Sequence, residues 1–370
     1  MSDEQREPES RETSQAYLLF GICFVLVVCL GSVLQGFAMR PGFAATLVLL
    51  ILTPALLFIR SKKVGIVEGL RLRPVPFSIA GLSALLGLGT WGLGMLVARG
   101  LEGLGVKTLN QGLDQGLDSG AGFALSLLVA AIGPGICEEA MFRGAIQGVL
   151  ERKGRWFAVF VSAALFGVLH MMLGIAIPAA LMGVCYGWVV VRTGSIVPAM
   201  IAHATNNATA LSFLYFLEGQ DPSWLTPCLL VLGAGVAFGI HRLTSGVRDS
   251  ETVSPLSGVP AGLPIVGRLG CVLPLFLFAA LTLAGMSALP YVITMEQMED
   301  GDTIMYANRD TFLYETLVQQ SGAQVAYLED EELKLGSLVD GDGEMVLVRG
   351  SDDAELSIPK VDLKGVLLRR

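Results

Sequence analysis

Long apolar runs separated by short polar joints dominate the first 290 positions. The runs lie at about 16–38, 44–60, 76–98, 121–150, 156–172, 174–191, 196–216, 224–241 and 268–289. A helix needs about 20 apolar residues, at ~1.5 Å each, to cross a hydrocarbon core of about 30 Å. The expected architecture over 16–289 is therefore an all-α polytopic membrane bundle of eight or nine transmembrane helices. The run at 44–60 is short and the turn inside 156–191 is very brief, hence the two counts. Residues 1–15, polar and acidic, read as a disordered lead-in. They lack the basic n-region and small-residue cleavage site of a secretory signal, so the first run is expected to be retained. After about residue 290 the pattern shortens. Ala323–Leu328, Glu344–Val348 and Gly365–Leu368 are short, apolar and β-prone, with turn chemistry at Asp340-Gly341-Asp342-Gly343 and Arg349-Gly350-Ser351-Asp352. With one helix over 310–321, residues 290–370 read as a small soluble α+β module.

Composition agrees with the pattern. Of 370 residues, 53% are hydrophobic and 16% charged, where a soluble domain carries roughly a quarter charged. The 45 glycines suit helices that pack closely in lipid. The net charge of -8 is unevenly placed: residues 291–370 hold 17 acids and 7 bases, and the rest holds 16 acids and 18 bases. The acidity thus belongs to the C-terminal part, and neither part has the basic footprint of a nucleic-acid binder. Six cysteines lie in or beside apolar runs without a CxxC, as small apolar residues do. The most basic joints are Arg60–Arg73 and Glu151–Arg155. Both fall on one side if each intervening run spans once, and the positive-inside rule makes that side cytoplasmic.

Ionisable groups inside spanning helices are costly, about 2.5–3.5 kcal/mol for a central Asp, Lys or Arg on insertion scales, and mark function when they persist. The densest cluster is Gly133-Pro134-Gly135-Ile136-Cys137-Glu138-Glu139-Ala140-Met141-Phe142-Arg143-Gly144. Glu139 and Arg143 stand at i,i+4 and can pair. Glu138 points about 100° away and has no local cation, which leaves it open to act as a general base or acid. The Gly-Pro-Gly upstream should break or kink the helix. Solvated charges at a helix end are the plainer reading, but apolar or small residues flank the cluster on both sides. Phe166 and His170 share a helix face, and so do His203 and Asn207. Measured from the cytoplasmic helix ends, Glu138, His170 and His203 lie at roughly 20, 21 and 12 Å. Peptide hydrolysis needs a group to deprotonate water, donors for an oxyanion and a proton donor for the leaving amine. This set contains all three. The chain has no GxxxxGK[ST], GxSxG or HExxH.

Glu138-Glu139-x-x-x-Arg143, Phe166-x-x-x-His170 and His203-x-x-x-Asn207, in this order on successive apolar helices, resemble the three motifs of the CAAX-protease and bacteriocin-processing (Abi) family, which includes the type II CAAX prenyl endopeptidases. The resemblance covers roughly residues 76–216. It implies an intramembrane endopeptidase acting on a membrane-associated protein or peptide, with the lipid bilayer as its surroundings and no nucleic acid. Carried over, Glu138 activates water. Glu139 and Arg143 position it and hold the site together, His170 assists, and His203 with Asn207 stabilises the oxyanion. Members of the family have been described both as metalloproteases and as glutamate-dependent proteases. The resemblance therefore leaves zinc on Glu138, His170 and His203 open beside a reading with no metal. The expected location is a bacterial inner membrane.

Two other functions compete. Intramembrane Glu and His also serve proton-coupled transporters, but no convincing internal symmetry accompanies them here. A non-proteolytic scaffold or immunity-type protein of the same fold would keep the helices, but has no need of the complete motif set.

Overall fold

A computed structural model describes residues 3–104, 106, 119–217, 225–246, 253–258, 274–276 and 279. Of the last part it describes 293–297, 303–307, 324–329, 332–342, 345–349, 355–359 and 363–368. The chain divides into two units, Met1–Leu281 and Thr282–Arg370.

Among the described residues of the first unit eight long helices follow one another: α1 (Ser14–Phe37), α2 (Met39–Ser61), α3 (Phe77–Gly103), α4 (Gly120–Lys153), α5 (Arg155–Leu169), α6 (Leu173–Thr193), α7 (Val197–Leu217) and α8 (Thr226–Leu243). Six of them, α1–α4, α6 and α8, are long and apolar enough to cross a membrane, and α5 is a shorter apolar helix. These are the dimensions and composition of an integral membrane protein. The α7 helix carries His203, Thr205, Asn206 and Asn207 in its middle. The expected run at 268–289 lies outside the described residues except at 274–276 and 279. The helix that continues as α1 begins at Asp3, inside the expected lead-in 1–15.

Each joint has a local cause. Gly154, with φ 117°, turns the chain from α4 into α5, and Gly194, with φ 66°, closes the end of α6 in the left-handed conformation that favours glycine. The helix α4 is not broken at Gly133-Pro134-Gly135, as the sequence suggests. It widens by one residue per turn over Leu127–Ile132 and again over Ala140–Ile146, so that Gly133 N–H donates to Leu128 O. Widening absorbs the proline, which has no N–H to give.

Hydrogen bonds gather one set of ends. Lys62 donates to Gln15, the Arg71 guanidinium meets Glu151 at 2.7 Å, and Ser195 Oγ donates to Arg73 O at 2.7 Å. Arg192 Nε donates to Thr244 Oγ1 at 3.0 Å. The basic end therefore carries the start of α1, the α2–α3 and α4–α5 joints, and the ends of α6 and α8. This is the end for which the positive-inside rule sets the expectation of a cytoplasmic side. Arg71 and Glu151, read from the sequence as parts of the basic joints, are buried at 0% and 7% exposure because each satisfies the other.

The core forms around α4. Every residue from Cys137 to Glu151 is buried, which is the signature of a helix surrounded on all sides. Phe142 packs edge-on against Phe20 of α1 and Phe166 of α5, with ring centroids at 6.3 and 5.1 Å. Helices α3 and α8 touch backbone to backbone: a Cβ at Gly89 would fall 2.5 Å from Gly233 Cα.

The second unit is a seven-stranded antiparallel sheet of order β1-β2-β7-β3-β4-β5-β6. Its strands are β1 (Ile293–Gln297), β2 (Thr303–Ala307), β3 (Gln324–Glu329), β4 (Glu332–Asp342), β5 (Met345–Arg349), β6 (Glu355–Pro359) and β7 (Leu363–Leu368). The three β-prone runs coincide with β3, β5 and β7. Asp340-Gly341-Asp342, read as a turn, instead extends β4 and pairs Asp340 with Leu347 after a register shift beyond Leu338. The helix expected over 310–321 lies outside the described residues.

Candidate active site

Glu138 and Glu139 end the narrow stretch of α4 between its two widened segments. Their side chains diverge, as the helical rotation requires. Glu139 Oε1 accepts from Arg143 Nη1 at 2.9 Å, one turn away on the same helix, and from His203 Nδ1 of α7 at 2.9 Å. Both Glu139 and Arg143 are fully buried. Arg143 Nη2 also donates to Gly183 O of α6 at 3.1 Å. Any other residue at 183 would intrude, since its Cβ would stand 2.9 Å from that nitrogen.

A carboxylate paired with a guanidinium is ionised and accepts only. His203 Nδ1 must therefore carry the hydrogen in its bond to Glu139. That sets the ring's orientation and turns Nε2 toward Glu138, whose Oε2 lies 3.9 Å away. Aromatic rings enclose the group. The Arg143 guanidinium carbon lies 4.6 Å from the Phe166 ring centre and 5.5 Å from that of Tyr186. Tyr186 stacks on His203 at 5.4 Å and 22°, and Phe166 meets His203 edge-on at 5.6 Å. Four helices, α4, α5, α6 and α7, thus meet at one buried polar centre.

His170 caps the end of α5, where Met171 follows in the left-handed conformation with φ 58°. Its Nδ1 is 2.9 Å from Phe166 O, and its ring meets that of Phe166 edge-on at 5.0 Å. Asn207 is one turn beyond His203 and reaches a different partner. Its Nδ2 donates to Ala130 O at 3.2 Å. In an α-helix that carbonyl would accept from residue 134, which is proline, so the asparagine supplies the donor that Pro134 lacks. The structure therefore brings Glu138, Glu139, Arg143 and His203 together, sets His170 against the Phe166 ring that also meets His203, and ties Asn207 to the backbone of α4.

Sequence reading passed over a flanking network. Thr90 Oγ1 of α3 lies 3.2 Å from Tyr186 Oη and donates to Asn206 Oδ1 at 3.3 Å, while Asn206 Nδ2 donates to Asn207 Oδ1 at 3.1 Å. A tyrosine in an otherwise apolar stretch of α6 was the available signal, because a buried phenol needs a partner.

A catalytic zinc takes three protein ligands. Glu138 and His203 approach each other, but among the described residues no third His, Cys, Asp or Glu completes a metal-holding group. His203 Nδ1 is committed to Glu139. As arranged, the residues do not make the Glu138–His170–His203 ligand set.

Residues 120–209 match the family described as type II CAAX prenyl endopeptidase Rce1-like. This segment runs from the start of α4 into α7 and contains every motif residue named above. Over it, the chain is similar to a family of membrane endopeptidases. No curated protein and no solved structure matches the chain.

Proposed function

We propose that the chain is an intramembrane endopeptidase that hydrolyses a peptide bond of a membrane-associated protein or peptide. The observation that carries this reading is the pinning of His203 by Glu139, which directs Nε2 at Glu138 across 3.9 Å. That distance is too long for a hydrogen bond and suits an oxygen of water or substrate between the two groups.

In this mechanism Glu138 takes a proton from water, and the water oxygen attacks the scissile carbonyl carbon. The charge that develops on the carbonyl oxygen is met by the Nε2 side of the His203 ring, which the Glu139 carboxylate orients. The second N–H of the Asn207 amide, the one not given to Ala130, is available for the same oxygen. The C–N bond then breaks as Glu138, assisted by His170, passes its proton to the leaving amine. Arg143 holds Glu139 in place. Buried helices exclude bulk water, which strengthens each of these interactions.

We assign the catalytic core to residues 76–216 and residues 290–370 to a soluble module. We place it in a bacterial inner membrane, which favours a leader-bearing or membrane-bound peptide over a prenylated one. The test compares new protein termini in membranes that overproduce the wild type or Glu138→Gln. Termini near membrane proteins that arise with the wild type alone support the reading and identify the substrate. Matching profiles across several expression conditions, with the variant folded and inserted, overturn it.

A further inference from the structure

A second buried polar group lies on the same face of α4, toward the basic end. Glu139, Arg143, Gln147 and Glu151 follow at four-residue spacing and form one stripe. Gln147 Nε2 donates to Gly187 O at 3.2 Å, as Arg143 does to Gly183 O one turn earlier. At the end of the stripe stands Arg71, outside the family-matched segment, fully buried and in the left-handed conformation with φ 56°. Its Nη1 donates to Glu151 Oε1 at 2.7 Å and its Nη2 to Arg143 O at 2.8 Å. That carbonyl needs a donor because the widened helix passes it over: Gln147 N–H, its α-helical partner, donates to Phe142 O instead.

The remaining oxygen of Glu151 is taken by a distant segment. Ser254 N–H donates to Glu151 Oε2 at 2.9 Å, and Leu256, 1% exposed, inserts into the core beside it. The segment lies so close to α4 that a Cβ at Gly148 would fall 2.6 Å from Ser254 Oγ and 3.3 Å from Leu256 Cδ1. A continuous path thus runs from Ser254 through Glu151, Arg71 and Arg143 to Glu139 and His203.

We propose that Arg71 is a positioning residue for the reaction, held by the Ser254–Leu256 strap through Glu151. It fixes the widened turn from which Arg143 reaches Glu139, and so fixes the ring of His203. The proposal rests on the protease reading for its consequence, but its geometry is measurable without catalysis.

The chain has three histidines, so nitrogen-15 histidine labelling of the full-length protein in detergent gives a readable spectrum. In the wild type the His203 ring shows a protonated, hydrogen-bonded Nδ1. The double variant Arg71→Gly with Glu151→Gln removes the guanidinium without leaving a lone buried charge, and glycine accepts the left-handed backbone. It is expected to shift or broaden the His203 signals and to lower the yield of Glu138-dependent termini about 10–100-fold, the scale of a small misplacement of catalytic groups. Arg71→Lys is expected to recover part of both. Gly148→Val leaves Arg71 and Glu151 in place and displaces the strap. Labelling of Ser254→Cys by a thiol reagent, read against the parent, reports that release. A folded double variant with wild-type His203 signals overturns the proposal, and so does Gly148→Val that exposes the strap while His203 is unchanged. Absence of Glu138-dependent termini in the wild type would instead overturn the protease reading and leave the histidine measurement standing.

Discussion

Two ion pairs are buried on α4, three turns apart, and they differ in what their carboxylates lack. Glu151 is saturated: Oε1 accepts from Arg71 and, at 3.4 Å, from Gln147, and Oε2 accepts from Ser254. Glu139 is not. Its Oε1 takes both Arg143 and His203, and its Oε2 is buried without a hydrogen-bond partner among the described residues. Glu138, beside it, has His203 Nε2 at 3.9 Å as its nearest ionic partner. Desolvated carboxylate oxygen is costly unless paired. A pair with every oxygen satisfied holds helices in place, whereas acceptors left open next to an oriented imidazole are what a reacting group requires. Both pairs use the same chemistry, and the count of satisfied oxygens separates them.

The sharpest way to break this comparison is Glu138→Gln. Cleavage should fall on the order of 10³-fold, within the range assigned to one general base, while the thermal midpoint in detergent stays near wild type. A large loss of stability would place Glu138 with the holding groups. Arg143→Ala should remove cleavage and also destabilise the protein by about 3–5 kcal/mol, because it strands Glu139 in the core; denaturation of the solubilised protein measures it. Asn207→Ala is expected to cost about 1–3 kcal/mol by leaving Ala130 O without its side-chain donor. Adding Pro134→Ala should return part of that loss, since the new N–H lies in helical register with Ala130. Strict additivity of the two changes would sink that account. Tyr186→Phe is the mildest, about 1 kcal/mol for the hydrogen bond to Thr90, with stacking on His203 retained and cleavage nearly unchanged.

The sequence carried the site further than the scaffold around it. Glu139 and Arg143 were readable as a pair because four-residue spacing on a helix dictates contact. His203 was readable as a site residue because an imidazole in an apolar run needs a polar neighbour. Its partner was not readable: spacing on α7 pointed to Asn207 on the shared face, while the bond that orients the ring comes from Glu139, 64 positions earlier. Asn207 in turn answers a defect on another helix, the missing N–H of Pro134.

Sequence alone determined the helical runs, the change of material after residue 290, the basic end and the identity of the polar residues buried in apolar helices. These follow from local rules: the hydrophobic length needed to span lipid, the helical period, and the cost of charge in low dielectric. Only the tertiary structure decided that α4 widens instead of breaking, that Arg71 and Glu151 of the basic joints are buried partners, and that Ser254 reaches them. The reason is physical. Each of those outcomes depends on a donor or acceptor from a segment remote in the chain, and whether a polar group is solvated or buried is settled by whether that remote partner arrives.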